Sequence, residues 1–145
     1  MMRDTQTLAN FEELLKKKNL KLTRERRHIF DTVVHRRRHF DADSLYDSIK
    51  QDNDRVARGT VYRTIPLLLE SGVIQKSVGE GHRDFFESKK GKTHHDHMVC
   101  IGCQKVIEFH CKEIEQTQDQ VCEKYGFKLA FHDHRLFGYC KDCKK

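Results

Sequence analysis

The stretch RGTVYRTIPLLLESGVIQKSV, residues 58–78, decides the fold. Val61, Ile65, Leu68 and Leu69 recur at helical spacing and share one face, which leaves Thr60, Tyr62 and Arg63 turned elsewhere. Gly72 is a natural helix stop. Beyond it, VIQKSV (73–78), GEGH (79–82) and RDFFE (83–87) read as strand, glycine-containing turn and strand, a small β-hairpin. Two features disturb the helix. Pro66 removes one backbone hydrogen bond and predicts a kink. Ala57, near the start, has no side chain able to cap, so Thr60 or water is expected to take that place.

Upstream, Leu8, Phe11, Leu14 and Leu15 follow helical spacing until NLKLT (19–23) breaks it and offers Thr23 as an N-cap. Ile29, Phe30, Val33 and Val34 form the buried face of a second helix. Leu45, Tyr46 and Ile49 predict a third over Ala42–Lys50, with Asp41 as its cap. Three helices, a fourth and a hairpin are the order of a winged helix-turn-helix domain. The polar SKKGKT (88–93) then marks a hinge. The fold class is α+β: a winged-helix domain over 1–88, a hinge over 89–93 and a small α/β domain over 94–145. In the last, we expect strands over His94–Cys100 and Lys105–Phe109, a helix over Cys111–Tyr125 ended by Gly126, and a final strand near Phe127–Tyr139.

The net charge is +6 and the isoelectric point about 9.0, but position says more than the total. Between Asn10 and Arg38 ten Lys and Arg stand against four acids, so that segment alone carries +6. Any one of these residues could be ordinary solvated surface. Their clustering favours a nucleic-acid face. The start, MMRDTQTLANF, lacks the basic region and apolar run of a secretory signal, and no apolar stretch approaches membrane-spanning length. A cytoplasmic address is therefore expected. There, paired cysteines hold metal or do redox work rather than form structural disulfides.

Six cysteines are present. Cys100-x-x-Cys103 and Cys140-x-x-Cys143 provide two knuckles whose four thiolates suit a closed tetrahedral zinc site. Packing or dithiol redox roles explain that spacing less well. Cys111 and Cys122 lack such partners and read as buried hydrophobe-like residues. The second motif is HHDHMVCIGC, residues 94–103. Side chains alternate along a strand, so His95 and His97 share one face while His94 and Asp96 share the other. The run therefore feeds two nitrogen/oxygen sites, with donors that suit Fe(II), Mn(II), Co(II) or Zn(II).

GTVYRTI, HHDHMVCIGC, KVIEF and GYCKDC, in this order and across nearly the whole chain, resemble the motifs of the ferric uptake regulator family of metal-dependent repressors. The resemblance implies a homodimer whose winged helices bind palindromic, AT-rich operator DNA and whose C-terminal domain dimerises. It implies a regulatory metal site between the domains, its ligands matching His39, Glu87, His95, His97 and Glu108. A second site in the dimerisation domain would use His94, Asp96, Glu115 and His132, with His134 as an additional nearby histidine. Cys100, Cys103, Cys140 and Cys143 match the structural zinc site. The implied metals are Zn(II) in that site and Fe(II) in the regulatory one, where Mn(II), Co(II) or Zn(II) can substitute. Tyr62 and Arg63 are expected at base edges and Lys21 near the minor groove. Peroxide-sensing relatives usually carry Asp where this chain has Glu108, which points to iron response.

Two rivals come from other classes. A zinc deaminase needs His-x-Glu and Pro-Cys-x-x-Cys, and neither cysteine pair follows a proline. A metal-trafficking module would need the metal sites without the basic N-terminal helices.

Overall fold

The computed structural model describes residues 2–52, 55–78, 84–89 and 95–144, which fall into two compact units, Met1–Lys92 and Thr93–Lys145. The hairpin turn, the segment 90–93 and His94 lie outside the described residues.

The first unit contains α1 (Met2–Lys17), α2 (Arg24–Val34), α3 (Ala42–Gln51), α4 (Arg58–Glu70), β1 (Ile74–Val78) and β2 (Asp84–Ser88). α1 begins well before the apolar pattern at Leu8, because its first turns are polar and only later residues such as Phe11 and Leu15 are buried. Asn19, at φ 56°, ends it, and the Leu20 N–H reaches back to the Leu15 carbonyl at 2.8 Å. The side chain of Thr23 caps α2 by accepting from the Arg26 N–H. Asp41 and Ser44 form a reciprocal capping box on α3. The other end of α4 is closed by Gly72 at φ 78°, where the N–H groups of Gly72 and Val73 bond the carbonyls of Leu69 and Leu68.

α4 runs unbroken through Pro66, so the kink expected there does not interrupt the helix. A proline costs its own N–H and one carbonyl partner, while the buried Thr64, Ile65, Leu68 and Leu69 hold the turns on either side. Ala57 is the N-cap and makes no side-chain hydrogen bond; its carbonyl accepts from the Thr60 and Val61 N–H groups. One core gathers Phe11, Leu15, Ile29, Phe30, Phe40, Leu45, Ile49, Val61, Leu68 and Ile74, with Phe11 and Phe30 stacked at 5.5 Å. The antiparallel β1–β2 hairpin pairs Gln75 with Glu87, and a bridge between Phe40 and Phe86 ties it to the loop before α3.

The second unit contains β3 (Asp96–Cys100), β4 (Val106–Phe109), α5 (Lys112–Lys124) and β5 (Arg135–Gly138), with strand order β4-β3-β5. β4 runs antiparallel to β3, and the α5 crossover returns β5 parallel to it. The final strand is shorter than expected, since β3 offers only residues 97–100 as partners and the chain from 127 to 134 stays irregular. Gly126, at φ 61°, ends α5. Every residue of α5 is exposed or half-buried, and Ile107, Met98 and Leu136 form a solvent-facing apolar row across the three strands. Such a row is material for an interface. Among the described residues, no helix is long and apolar enough to cross a membrane.

Candidate metal centres and nucleic-acid face

Four sulfurs converge at the end of β3. The ligand atoms of Cys100, Cys103, Cys140 and Cys143 all lie within 4.8 Å of one another, so the four together could hold a metal ion. Sulfurs about 2.3 Å from a tetrahedral zinc stand about 3.8 Å apart. Those of Cys103 and Cys140 are 3.8 Å apart. The N–H groups of Cys140 and Cys103 point at the Cys100 sulfur, at 3.3 and 3.4 Å, and hold its pKa down to about 6. Hydrogen bonds with the sulfurs of Cys140, Cys100 and Cys103 push Cys143 up to about 12. One thiolate forms readily here and the last does not, a conflict that a divalent cation resolves. Gly102 is part of the design: a Cβ there would stand 3.2 Å from both Cβ and Sγ of Cys143.

A second donor set forms where β3 begins. Asp96 is buried, and its Oδ1 lies 3.2 Å from Nε2 of His132, which is 3.4 Å from Glu115 Oε1. His134 joins them, its Nδ1 3.7 Å from the other Asp96 oxygen and its ring stacked on that of His132 at 4.3 Å. Asp96, Glu115, His132 and His134 thus make a four-donor group. The structure brings together the three described residues expected here and adds His134. Strand parity sets Asp96 apart from His95 and His97, whereas Glu115 and His132 are expected only from the family resemblance.

The residues expected in the regulatory site belong to both units. On the first unit, His39 Nε2 lies 2.7 Å from Oε2 of the buried Glu87. Ser77 Oγ lies 3.0 Å from His39 Nδ1, and Gln75 donates to Glu87 Oε1 at 2.6 Å. These two orient the ring and the carboxylate in the manner of outer-shell partners of a metal ligand. The sequence reading missed both, although Gln75 and Ser77 alternate onto one face of β1. On the second unit, His97 pairs with Glu108 across β3 and β4, His95 Nε2 lies 3.5 Å from Glu108 Oε1, and the two imidazoles meet edge to face at 5.0 Å. Each half has the donor chemistry of a divalent-metal site.

α4 presents Tyr62 and Arg63 to solvent, on the side away from Val61, Ile65 and Leu68. Lys21 is exposed in the loop before α2. The guanidinium of Arg63 folds over Gly59, where a Cβ would come within 2.9 Å of its Nη1. The Tyr62 hydroxyl donates to Asp43, which raises its pKa above the ordinary tyrosine value. Arg58 Nη1 reaches the same Asp43 oxygen at 2.7 Å.

Comparison with known proteins agrees with this arrangement. The pattern of the Ferric uptake regulator family matches residues 17–137. The Ferric uptake regulation protein of Campylobacter jejuni subsp. jejuni serotype O:2 is 38% identical over 138 residues, covering 94% of this chain and 87% of its own length. The ferric uptake regulator Fur of Helicobacter pylori, whose structure is described as having three functional metal binding sites, superposes with a TM-score of 0.61 at 30% identity, over 98% of this chain and 94% of that one. The ferric uptake regulator of Pseudomonas aeruginosa with manganese gives a TM-score of 0.58 at 30% identity, covering 88% and 95%. The family pattern over residues 17–137 and 38% identity over 94% of the chain, on a winged-helix unit followed by a small α/β unit, establish that this chain belongs to the ferric uptake regulator family.

Proposed function

We propose that this protein is a cytoplasmic, Fe(II)-responsive transcriptional repressor, not an enzyme, which binds palindromic AT-rich operators as a homodimer. One observation carries the regulatory part. His39 and Glu87 stand on the unit that holds α4, whereas His95, His97 and Glu108 stand on the other. An ion that draws ligands from both links the two units and fixes their orientation. In a dimer, that orientation sets the spacing of the two recognition helices. Metal and operator then favour each other reciprocally, typically by about 1–3 kcal/mol.

Each remaining part has a role in this reading. The four cysteines hold structural zinc, which supplies cross-linking and no open coordination position. Asp96, Glu115, His132 and His134 form the second site, and His94, outside the described residues, is its remaining expected ligand. The row Ile107, Met98 and Leu136, with half-exposed α5, meets a second copy of the chain. Tyr62 and Arg63 read base edges from the major groove, and Lys21 contacts the minor groove.

The decisive experiment titrates anaerobically purified protein with operator DNA in the presence and absence of Fe(II), Mn(II) and Zn(II), alongside metal analysis. Tight binding only with Fe(II) or its close substitute Mn(II) supports the reading. Equal binding with no metal, or none to any duplex, excludes it; a response to zinc alone moves the chain to a zinc-sensing branch of the family.

A further inference from the structure

A carboxylate stands among the residues that face DNA. Asp43, in the first turn of α3, accepts through one oxygen both Arg58 Nη1, at 2.7 Å, and the Tyr62 hydroxyl. Arg58 and Tyr62 are four residues apart on α4 and so share a face. The guanidinium of Arg58 also lies over the Tyr46 ring of α3, 4.5 Å from its centroid. α3 thereby holds two exposed residues of the recognition helix. Asp43 and Arg58 are 63% and 56% exposed, and pairs so open to water add little to stability. Asp43 is not needed as a cap either, since Asp41 and Ser44 close α3. The arrangement makes physical sense as part of how the face meets DNA.

We propose that Asp43 is a positioning and specificity-determining residue of the DNA-reading face: it fixes the pose of the Tyr62 ring and occupies Arg58 against indiscriminate phosphate binding. The inference rests on the reading of α4 as the recognition helix. A tyrosine held at its hydroxyl presents its ring in one orientation, which matters when the ring must pack on a thymine methyl. An unoccupied arginine would bind any phosphate, adding affinity without sequence preference. With Asp43 present, Arg58 must exchange a carboxylate for a phosphate, and the negative charge left behind faces a negative backbone. Any duplex meets that cost. Cognate DNA offsets it through the base contacts of Tyr62 and Arg63, and by offering Asp43 an amino group of cytosine or adenine. The device is a repulsive element aimed at the wrong partner.

The test uses full-length, Mn(II)-loaded protein and two duplexes, an operator selected by the wild type and a random sequence of equal length and composition, with binding followed by fluorescence anisotropy across a salt series. Asp43→Ala and Asp43→Asn should both tighten binding to the random duplex, roughly tenfold, and steepen the salt dependence by about 0.9 per chain, one added phosphate contact. Only Asp43→Ala should also weaken the thymine preference, because an asparagine oxygen can still accept from Tyr62. Tyr62→Phe should weaken that preference equally, and the double variant Asp43→Ala/Tyr62→Phe no further. Unchanged random-duplex affinity and salt slope in both Asp43 variants overturn the proposal, as does a parallel loss on both duplexes with a lowered melting temperature, the mark of a merely structural role. Arg63→Ala separates the two levels of inference. If it lowers operator affinity while the Asp43 variants match the wild type, α4 remains the reading helix and Asp43 alone is dismissed. If Arg63→Ala changes nothing, the reading of α4 fails and the proposal falls with it.

Discussion

Cys103 and Cys140, 37 positions apart in the chain, hold their sulfur atoms 3.8 Å from each other, the edge length of a tetrahedron of thiolates around zinc. The expected consequence is that Cys140→Ser, or chelation at the four-cysteine site, releases one zinc per chain and melts the second unit. Structural zinc contributes roughly 10–16 kcal/mol of apparent binding energy in small domains. This unit, whose buried hydrophobic residues among those described are Val99 and Cys100, has little else to hold it. Elemental analysis with circular dichroism checks this; full zinc content and an intact far-ultraviolet spectrum in Cys140→Ser would refute the assignment.

Met98 lies between Ile107 and Leu136 in the exposed apolar row of the sheet. If this row meets a second copy, Met98→Glu places an unpaired carboxylate in the interface and costs about 3–5 kcal/mol of dimer stability. Sedimentation velocity should show monomer at concentrations where the wild type is dimeric. An unaltered dimer would place the interface elsewhere.

For DNA, Arg63→Ala should cost about 1–3 kcal/mol and relax preference at one base per half-site, as loss of a bidentate guanine contact does. Lys21→Ala should weaken binding with little change in major-groove choice. Selection from randomised duplexes measures both effects, and identical sequence preferences in wild type and Arg63→Ala would displace the recognition helix from α4.

The two metal faces should separate by mutation. His97→Ala is expected to abolish metal-activated operator binding, and Asp96→Ala to reduce it less. His134→Ala should lower metal affinity at the second site by about tenfold or more while zinc stays in the four-cysteine site. Isothermal titration and operator binding read these in parallel; the reverse ranking of His97 and Asp96 would mean that the roles are exchanged.

Glu108 bears on peroxide. If Glu108 is a ligand of the regulatory metal, its longer side chain would reach further than Asp and close the position an oxidant needs. Glu108→Asp should therefore keep metal-dependent DNA binding but speed oxidation of His39 or His95, seen by mass spectrometry as gain of one oxygen atom. Rapid oxidation of those histidines in unmodified Fe(II)-loaded protein would instead identify a peroxide sensor.

What the sequence by itself determined was local. Thr23 and Asp41 mark helix starts because their side-chain oxygens satisfy free N–H groups, and both caps are present. Gly72 and Gly126 mark helix ends because a left-handed turn suits a residue without Cβ. Strand parity separated His95 and His97 from Asp96, and the x₂ cysteine spacing announced a metal knuckle, because both depend only on backbone geometry a few residues long. Tertiary structure decided whatever depends on distant segments. Asp96 meets His132, 36 positions away, because the α5 crossover returns β5 parallel to β3, and His134 enters the site by the same return. Gln75 and Ser77 support Glu87 and His39 because β1 pairs with β2 in one register. Asp43 meets Tyr62, 19 positions on, because α3 packs beside α4. No local propensity encodes such meetings; they arise when burial of the apolar faces of separate elements fixes how those elements lie against one another.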